Sequence, residues 1–408
     1  MADGPGSNSS GIGGARPGRG IVNPPIRIMH VVDNMGRGGM QNGIANVIAR
    51  LDPHRFEHVI CTTRRLDRVA HSFPEDQVKM MCVAGDGPVS RVQIAALSRA
   101  IKAVRPDIVH SRNWSGVEGV IAGRWAGSSK LVHSEHGVDS ETAEREPLRR
   151  VLFRRLAFGL ADHVFCVSYQ LRRLHAKRTG FPERKIGVIH NGVNMGQFLP
   201  DPAVRLAIRQ ELGIAQDEFC IGCIGNLTPV KDYPTILHAV SEIAGSCVGW
   251  RLVVAGEGSE LRALRSFVDA HPQWKDRVVF LGLSNRVMEL LNAMDVYVLS
   301  SITEGISNSL LEAMSTGLAV VVTDTGGNPE VVVDSQSGLL FPVGDSHRLA
   351  EHLLRLHSQP EARLRLGQQA RRRIAENFSL DSMVRRYEKL YEGLIPQAKS
   401  RPHAVATI

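Results

Sequence analysis

Nowhere does the chain approach the ~20 consecutive apolar residues of a membrane-spanning helix, so no span is expected along its 408 positions. Aromatic residues make up only 5% of it, and no stacking platform or basic recognition motif accompanies them, which argues against nucleic acid as a partner. No Asp-x-Asp pair occurs, so the commonest way of holding a divalent cation through adjacent carboxylates is missing and no metal is expected. The six cysteines show no disulfide spacing; Cys220 and Cys223 form a C-x-x-C, but inside a strand-like run, where neither zinc binding nor redox work is at home. They read as core thiols of a reduced compartment. The opening "MADGPGSNSSGIGGARPGRGIVNPP" has no apolar centre and is expected to be a disordered leader over 1–25 rather than a secretory signal, with the protein cytoplasmic. A net charge of +8 makes anionic partners plausible.

What is present is a regular alternation. Short β-branched runs such as "RIMHVVD", "HVICTT", "DIVHS", "KLVHSEH" and "DHVFCVS" alternate with longer helical patterns, and the rhythm restarts at "FCIGCIGN" and continues through "WRLVVAG", "RVVFLG", "DVYVLSS", "AVVVT" and "GLLFPV". Such alternation predicts an α/β fold with two parallel, doubly wound sheets. "KIGVIHNGVNMGQFLPDPAVR" interrupts it with Asn-Gly and two prolines and reads as an irregular connection, with the boundary near Asn194. The predicted organisation is a first domain over 26–194, a second over 195–378, a C-terminal helix over 379–396 that packs back on the first domain, and a tail over 397–408. Two such halves leave a cleft at the carboxyl ends of their strands.

Four stretches point into that cleft. In "SSITEGISNSLLEAMSTG", Ser307 is a good N-cap, so Glu304 falls on the loop before the helix and Glu312 about a turn inside it. Backbone N–H groups at the helix start can hold an anion, with Gly305 permitting close approach. The carboxylates on either side suit hydroxyl groups of sugars. In "IGCIGNLTPVKDYPTIL", Lys231 precedes a helix opened by Asp232 and Pro234 and offers a point charge to a phosphate. In "DNMGRGGMQNG", Gly38 and Gly39 let backbone approach a ligand; this loop and "AGEGSE" are weak as patterns. In "HSEHGVD", His136 ends a strand and is expected to accept or donate a proton near neutral pH, while His133, three residues earlier on the strand, points the other way and does not pair with it around a metal. The helix "PLRRVLFRRLAFGL" reads first as a packed helix with a solvated basic face, and alternatively as one resting on an anionic membrane.

Together these stretches resemble the retaining glycosyltransferases of family 4 with the GT-B architecture, two Rossmann-like domains facing across a cleft, from Arg27 to about Ile395. "EGISNSLLE" is similar to that family's E-x7-E element, "NGVNMGQF" to its hinge and "GNLTPVKD" to its G-R-L-x-x-x-K loop. "HVVDNMGRGGMQNGIANV", "DIVHSRN" and "HSEHG" resemble more narrowly the sugar transferases of exosortase-linked exopolysaccharide loci.

The resemblance implies transfer of a hexose from a nucleoside diphosphate sugar, a UDP-sugar foremost, to a saccharide or lipid-linked saccharide, with retention and without metal or other cofactor. It implies Glu304 on the donor sugar, backbone around Gly305, Ile306, Ser307 and Asn308 on the diphosphate, Glu312 on the ribose, Lys231 on the leaving group, Gly38 and Gly39 on the phosphate side and His136 against the reacting sugar. Two departures stand out. Asn226 replaces the arginine of G-R-L and Gln41 replaces a glutamate; a lost charge-assisted contact costs about 1.5–3 kcal/mol unless a group such as Arg37 substitutes. A nucleotide-sugar-binding protein without transfer, or an epimerase or phosphorylase on the same fold, remains an alternative reading.

Overall fold

The computed structural model describes residues 24–36, 38–64, 78–83, 90–127, 130–138 and 146–395. The expectations for the leader before residue 24, for Arg37 and for the tail lie outside the described residues.

The first half runs β1 (Ile26–Val32), α1 (Gly39–Arg50), β2 (Phe56–Thr62), β3 (Val78–Cys82), α2 (Arg91–Val104), β4 (Ile108–Arg112), α3 (Asn113–Ala126), β5 (Lys130–Glu135), α4 (Leu148–Leu160), β6 (His163–Cys166), α5 (Tyr169–Thr179) and β7 (Ile186–Val188). The second runs α6 (Pro202–Glu211), β8 (Phe219–Ile224), α7 (Tyr233–Ile243), β9 (Trp250–Ala255), α8 (Leu261–Asp269), β10 (Val278–Gly282), α9 (Val287–Ala293), β11 (Val296–Leu299), α10 (Asn308–Ser315), β12 (Ala319–Thr323), α11 (Asn328–Val331), β13 (Leu339–Phe341), α12 (Ser346–Ser358) and α13 (Pro360–Asn377). α14 (Leu380–Leu394) ends the described chain.

Each half is an all-parallel sheet, ordered β3-β2-β1-β4-β5-β6-β7 and β10-β9-β8-β11-β12-β13. Helices cover both faces, which is why β4, β11 and β12 are buried along their whole length. In each sheet the strand order reverses once, between β1 and β4 and between β8 and β11, and a ligand crevice opens where crossovers part to opposite faces.

The sequence expectations fail in three places. β3 was not foreseen, because "VKMMC" carries little alternation at a half-exposed edge. The stretch taken as an irregular connection contains β7 and the start of α6. Three residues are too few to show a strand period, and "DP" is a helix start: Asp201 accepts from Ala203 and Val204 N–H at 2.9 and 3.0 Å with Pro202 in the first turn. α4 is turned inside out relative to the favoured reading. Arg154 is buried, bonded to Glu135 at 2.6 Å and to Glu146, whereas Leu148, Leu152 and Leu156 face solvent. Two buried carboxylates, Glu135 at the end of β5 and Glu146 just before the helix, decide which side of it turns inward.

The chain crosses between halves at Gly192–Val193 and again at Phe378–Leu380, and the crossings are paired, Val193 N to Phe378 O at 3.0 Å and Leu380 N to Val193 O at 2.9 Å. After the second crossing α14 packs on the first sheet, in one cluster with Ile28, Phe56, Ile108, Val132 and Phe165. Tyr391 is fully buried there, with its hydroxyl 2.8 Å from His110 Nδ1. Tyr391→Ala should cost about 3–5 kcal/mol and Tyr391→Phe only about 1 kcal/mol. Urea midpoints checked by a first-half probe such as Trp114 fluorescence would show this; equal midpoints for the two variants would mean that α14 does not hold the first half together.

Candidate functional site

The loops at both reversal points close on one cavity of about 790 Å³. Its wall takes Gly38 and Gly39 from the loop after β1, Asn113–Ser115 after β4, His136 after β5, Asn226 and Lys231 after β8, and Glu304, Ile306, Ser307, Asn308 and Glu312 around the start of α10. Every site residue singled out from the sequence lies on this wall except Gly305.

Glu304 follows β11 on a loop fixed from both sides. Its Oε1 accepts from Ser301 Oγ at 2.7 Å and pairs with Lys231 Nζ. Behind it, the backbone of Gly326 and Gly327 approaches so closely that a Cβ on Gly326 would stand 2.3 Å from Glu304 O and one on Gly327 1.8 Å from Gly305 O. On the other side Ile302 N–H donates to Val230 O at 2.8 Å, and Ser300 Oγ to Lys231 O at 2.8 Å. Lysine and glutamate, read from sequence as partners of two different ligand groups, are thus partners of each other.

Gly305 corrects an expectation. It leaves room for protein, since a Cβ there would be 2.3 Å from the carbonyl oxygen of His136 in the other half. The groups that follow it tie the halves further. Asn191 Nδ2 donates to Ile306 O at 3.0 Å and Asn308 Oδ1 at 3.1 Å, and Asn308 Nδ2 donates to Gly39 O at 3.0 Å. Ser307 caps α10 as foreseen, its Oγ accepting from Leu310 N–H at 3.4 Å.

Asn226 is exposed at the cavity edge, and the loop that carries it rests on the G-x-G that looked weak in the sequence. A Cβ on Gly256 would lie 1.9 Å from Gly225 O, and one on Gly258 2.1 Å from Leu227 O. Gln41 reaches back toward Asn34 at 3.5 Å. Arg64 and Arg150 also line the cavity, as does Trp114, over whose ring the Arg150 and Arg154 guanidinium carbons sit at 5.3 and 5.7 Å. Sequence reasoning missed Asn191, Asn113, Ser301, Arg64, Arg150 and the Gly326–Gly327 pair. The "HNG" and "TGG" turns were the available signals for two of them.

His136 differs from what was expected of it. Burial, and then the nearby Arg112 guanidinium, push its imidazole down to about 3, so it is neutral at physiological pH and does not titrate near neutrality. Its hydrogen bonds nevertheless have a direction. Arg112, 1% exposed, can only donate, and does so to His30 Nδ1 at 3.0 Å and His110 Nδ1 at 3.2 Å. His110 therefore carries its proton on Nε2, which lies 2.9 Å from Ser134 Oγ, and Ser134 passes its own proton toward His136 Nε2 at 2.9 Å. The proton of His136 is left on Nδ1, so the ring meets a ligand as a hydrogen-bond donor. His133 belongs to a separate set, with Ser111 Oγ at 2.7 Å and Glu135 Oε1 at 3.3 Å. Among the described residues no cluster with metal-ligand composition occurs.

Glu312 stands where the main cavity meets a second chamber of about 420 Å³ lined by Asn42, Asn46, Asn194 and Asn285. Burial pushes its carboxyl up to about 8. A carboxyl held protonated when folded but ionised when unfolded favours the folded state below the usual carboxylate range and loses that advantage as pH rises toward 8.

Two predictions follow from these geometries. Glu312→Gln should come close to the wild type in Tm near pH 5 and exceed it near pH 8 by a gain on the order of 3–4 kcal/mol, about three pH units at ~1.4 kcal/mol each. A Tm difference independent of pH would show that Glu312 is already ionised and compensated. Ser134→Ala should release the tautomer of His136, read as a shift of the 15N-histidine resonances toward a mixed Nδ1/Nε2 population; an unchanged spectrum would break the chain of donors from Arg112.

Comparison with known proteins is consistent across both halves. Residues 37–197 match the family described as Glycosyltransferase Family 4 and residues 204–373 the family described as Glycosyl transferases group 1. The UDP-Gal:alpha-D-GlcNAc-diphosphoundecaprenol alpha-1,3-galactosyltransferase of Escherichia coli is 27% identical over 309 residues, 74% of this chain and 79% of that one. The N-acetyl-alpha-D-glucosaminyl L-malate synthase of Bacillus anthracis is 29% identical over 273 residues, covering 66% and 70%. The putative glycosyltransferase EpsD of Bacillus subtilis is 27% identical over 306 residues, covering 71% and 79%. Among solved structures, Anabaena HepE in complex with UDP and glucose superposes with a TM-score of 0.75 at 18% identity, over 89% of this chain and 98% of that one. A glycosyltransferase from Rickettsia africae superposes with a TM-score of 0.76 at 18% identity, over 92% and 100%.

Proposed function

The chain belongs to the family 4 glycosyltransferases and has their GT-B architecture, and from that premise we propose that it moves a hexose from a nucleoside diphosphate sugar to a saccharide or lipid-linked saccharide. In this reading the anomeric configuration is retained, no metal takes part, and the product enters an exopolysaccharide or related glycan at the cytoplasmic side of a membrane. The observation that carries it is the convergence of Lys231, Glu304, the capped start of α10 and Glu312 on one cavity that both halves enclose. A uridine donor is favoured by the Escherichia coli relative, named for UDP-galactose, and by HepE, solved with UDP and glucose.

The Lys231–Glu304 pair suggests how the donor is received. A diphosphate entering beside the α10 N-terminus offers Lys231 a more highly charged partner, and the freed Glu304 carboxylate then accepts from sugar hydroxyls. Lys231 and the helix start stabilise charge as the diphosphate departs, the task a metal performs in other transferases. His136 donates through Nδ1 to the sugar or its phosphate. Glu312 takes the ribose, with the nucleoside extending toward the second chamber. The cation lost at Asn226 is replaced in this scheme by Arg64 and Arg150 from the facing wall.

Thermal shift with UDP-, GDP-, ADP- and dTDP-sugars, with nucleoside diphosphate release measured in the same wells, tests the reading. One nucleotide series should stabilise the protein and be released. Lys231→Ala should cut turnover about 10²–10³-fold, and Glu304→Gln should weaken donor use, each without lowering Tm by more than a few degrees. Stabilisation without release under any acceptor would replace transfer with binding.

A further inference from the structure

We propose that α4 is a membrane-docking surface that holds the protein on an anionic bilayer with the first half facing the lipid. The helix presents Leu148, Leu152 and Leu156 to solvent at 72%, 57% and 48% exposure. At one residue per ~100° these positions form a single stripe, with exposed Arg155 on one flank and exposed Arg149 on the other. Isolated exposed leucines are ordinary on a protein surface. Three in register are not, least of all on a helix whose opposite face buries Arg154 against Glu135 and Glu146.

The occupant is indicated by charge. Neither α4 nor the neighbouring α5 contains an acidic residue, and α5 adds exposed Arg173 and Lys177. An isologous contact with a second copy would set Arg149 and Arg155 against their own equivalents. A bilayer with anionic headgroups satisfies the leucines and the cations together. Arg150, on the inner side of the same helix, lines the main cavity, so a lipid-borne acceptor held at this surface lies beside the cleft. The surface deepens the lipid-linked reading of the acceptor, but its test needs no substrate.

The full chain is sedimented with vesicles of phosphatidylcholine alone and of phosphatidylcholine mixed with phosphatidylglycerol. Binding is expected to the mixed vesicles only and to weaken with salt. Leu148→Ser/Leu152→Ser/Leu156→Ser should reduce it at least about tenfold, as should Arg149→Ser/Arg155→Ser; Tm is expected unchanged for the leucine variant, whose side chains face solvent, and slightly lowered for the arginine variant, which loses the hydrogen bond of Arg155 Nη1 to Thr179 O at 2.6 Å. Absence of binding by the wild type, or undiminished binding by the triple variant, would overturn the proposal. A stripe variant that dissociates an oligomer or releases an acidic partner protein, and leaves vesicle binding intact, would overturn it in favour of those occupants. Stabilisation by nucleotide sugar, read on the same samples, reports on the cleft separately, so failure at the surface and failure of the transfer reading are distinguishable.

Discussion

At the cleft the two halves come together through backbone at one point. Glu304 and Gly305 lie against the main chain of Gly326 and Gly327 on one side, and Gly305 lies against the carbonyl of His136 on the other. Such contact cannot be adjusted by rotamer changes, so the spacing of the halves at the cleft is set by the covalent dimensions of the main chain. The acidic, basic and imidazole groups of the cavity inherit their positions from it. Glu330, soon after the glycine pair, extends the junction by accepting from the first N–H groups of α5, Tyr169 at 2.8 Å and Gln170 at 2.7 Å, and from His190 Nε2 at 3.1 Å.

Polarity inside the first half is unusual in kind. Arg112 is buried among His30, His110, Tyr387 and Tyr391, and no carboxylate of the described residues pairs with it. Burial, and then the cation beside them, keeps the surrounding imidazoles neutral, and the cation imposes a sequence of donors and acceptors that ends at the ligand. On the far side of β5, by contrast, Arg154 offsets burial and holds the Glu135 carboxyl well below the usual range. One strand thus separates a positive network from a neutralised one.

Much of this was legible beforehand because it is local. Strand and helix periods, the cap at Ser307 and the placing of Glu304 before the helix and Glu312 within it depend on neighbours in sequence. What was not legible depends on distant partners. Periodicity groups Leu148, Leu152 and Leu156 on one face of α4 but is silent on whether that face turns inward. Gly305 announces a close approach without saying whether ligand or protein makes it. His136 looks like a group that titrates near neutrality until Arg112 and burial are placed beside it, and β7 is too short to have a period.

The double crossing has a consequence for how the protein is made. α14 leaves the ribosome after every strand of both sheets, yet it completes the apolar cluster beneath β1, β4 and β6. The first half, although synthesised first, therefore keeps an open hydrophobic face until the second half has emerged, and the later half is able to reach its final packing earlier than the half that precedes it in the chain.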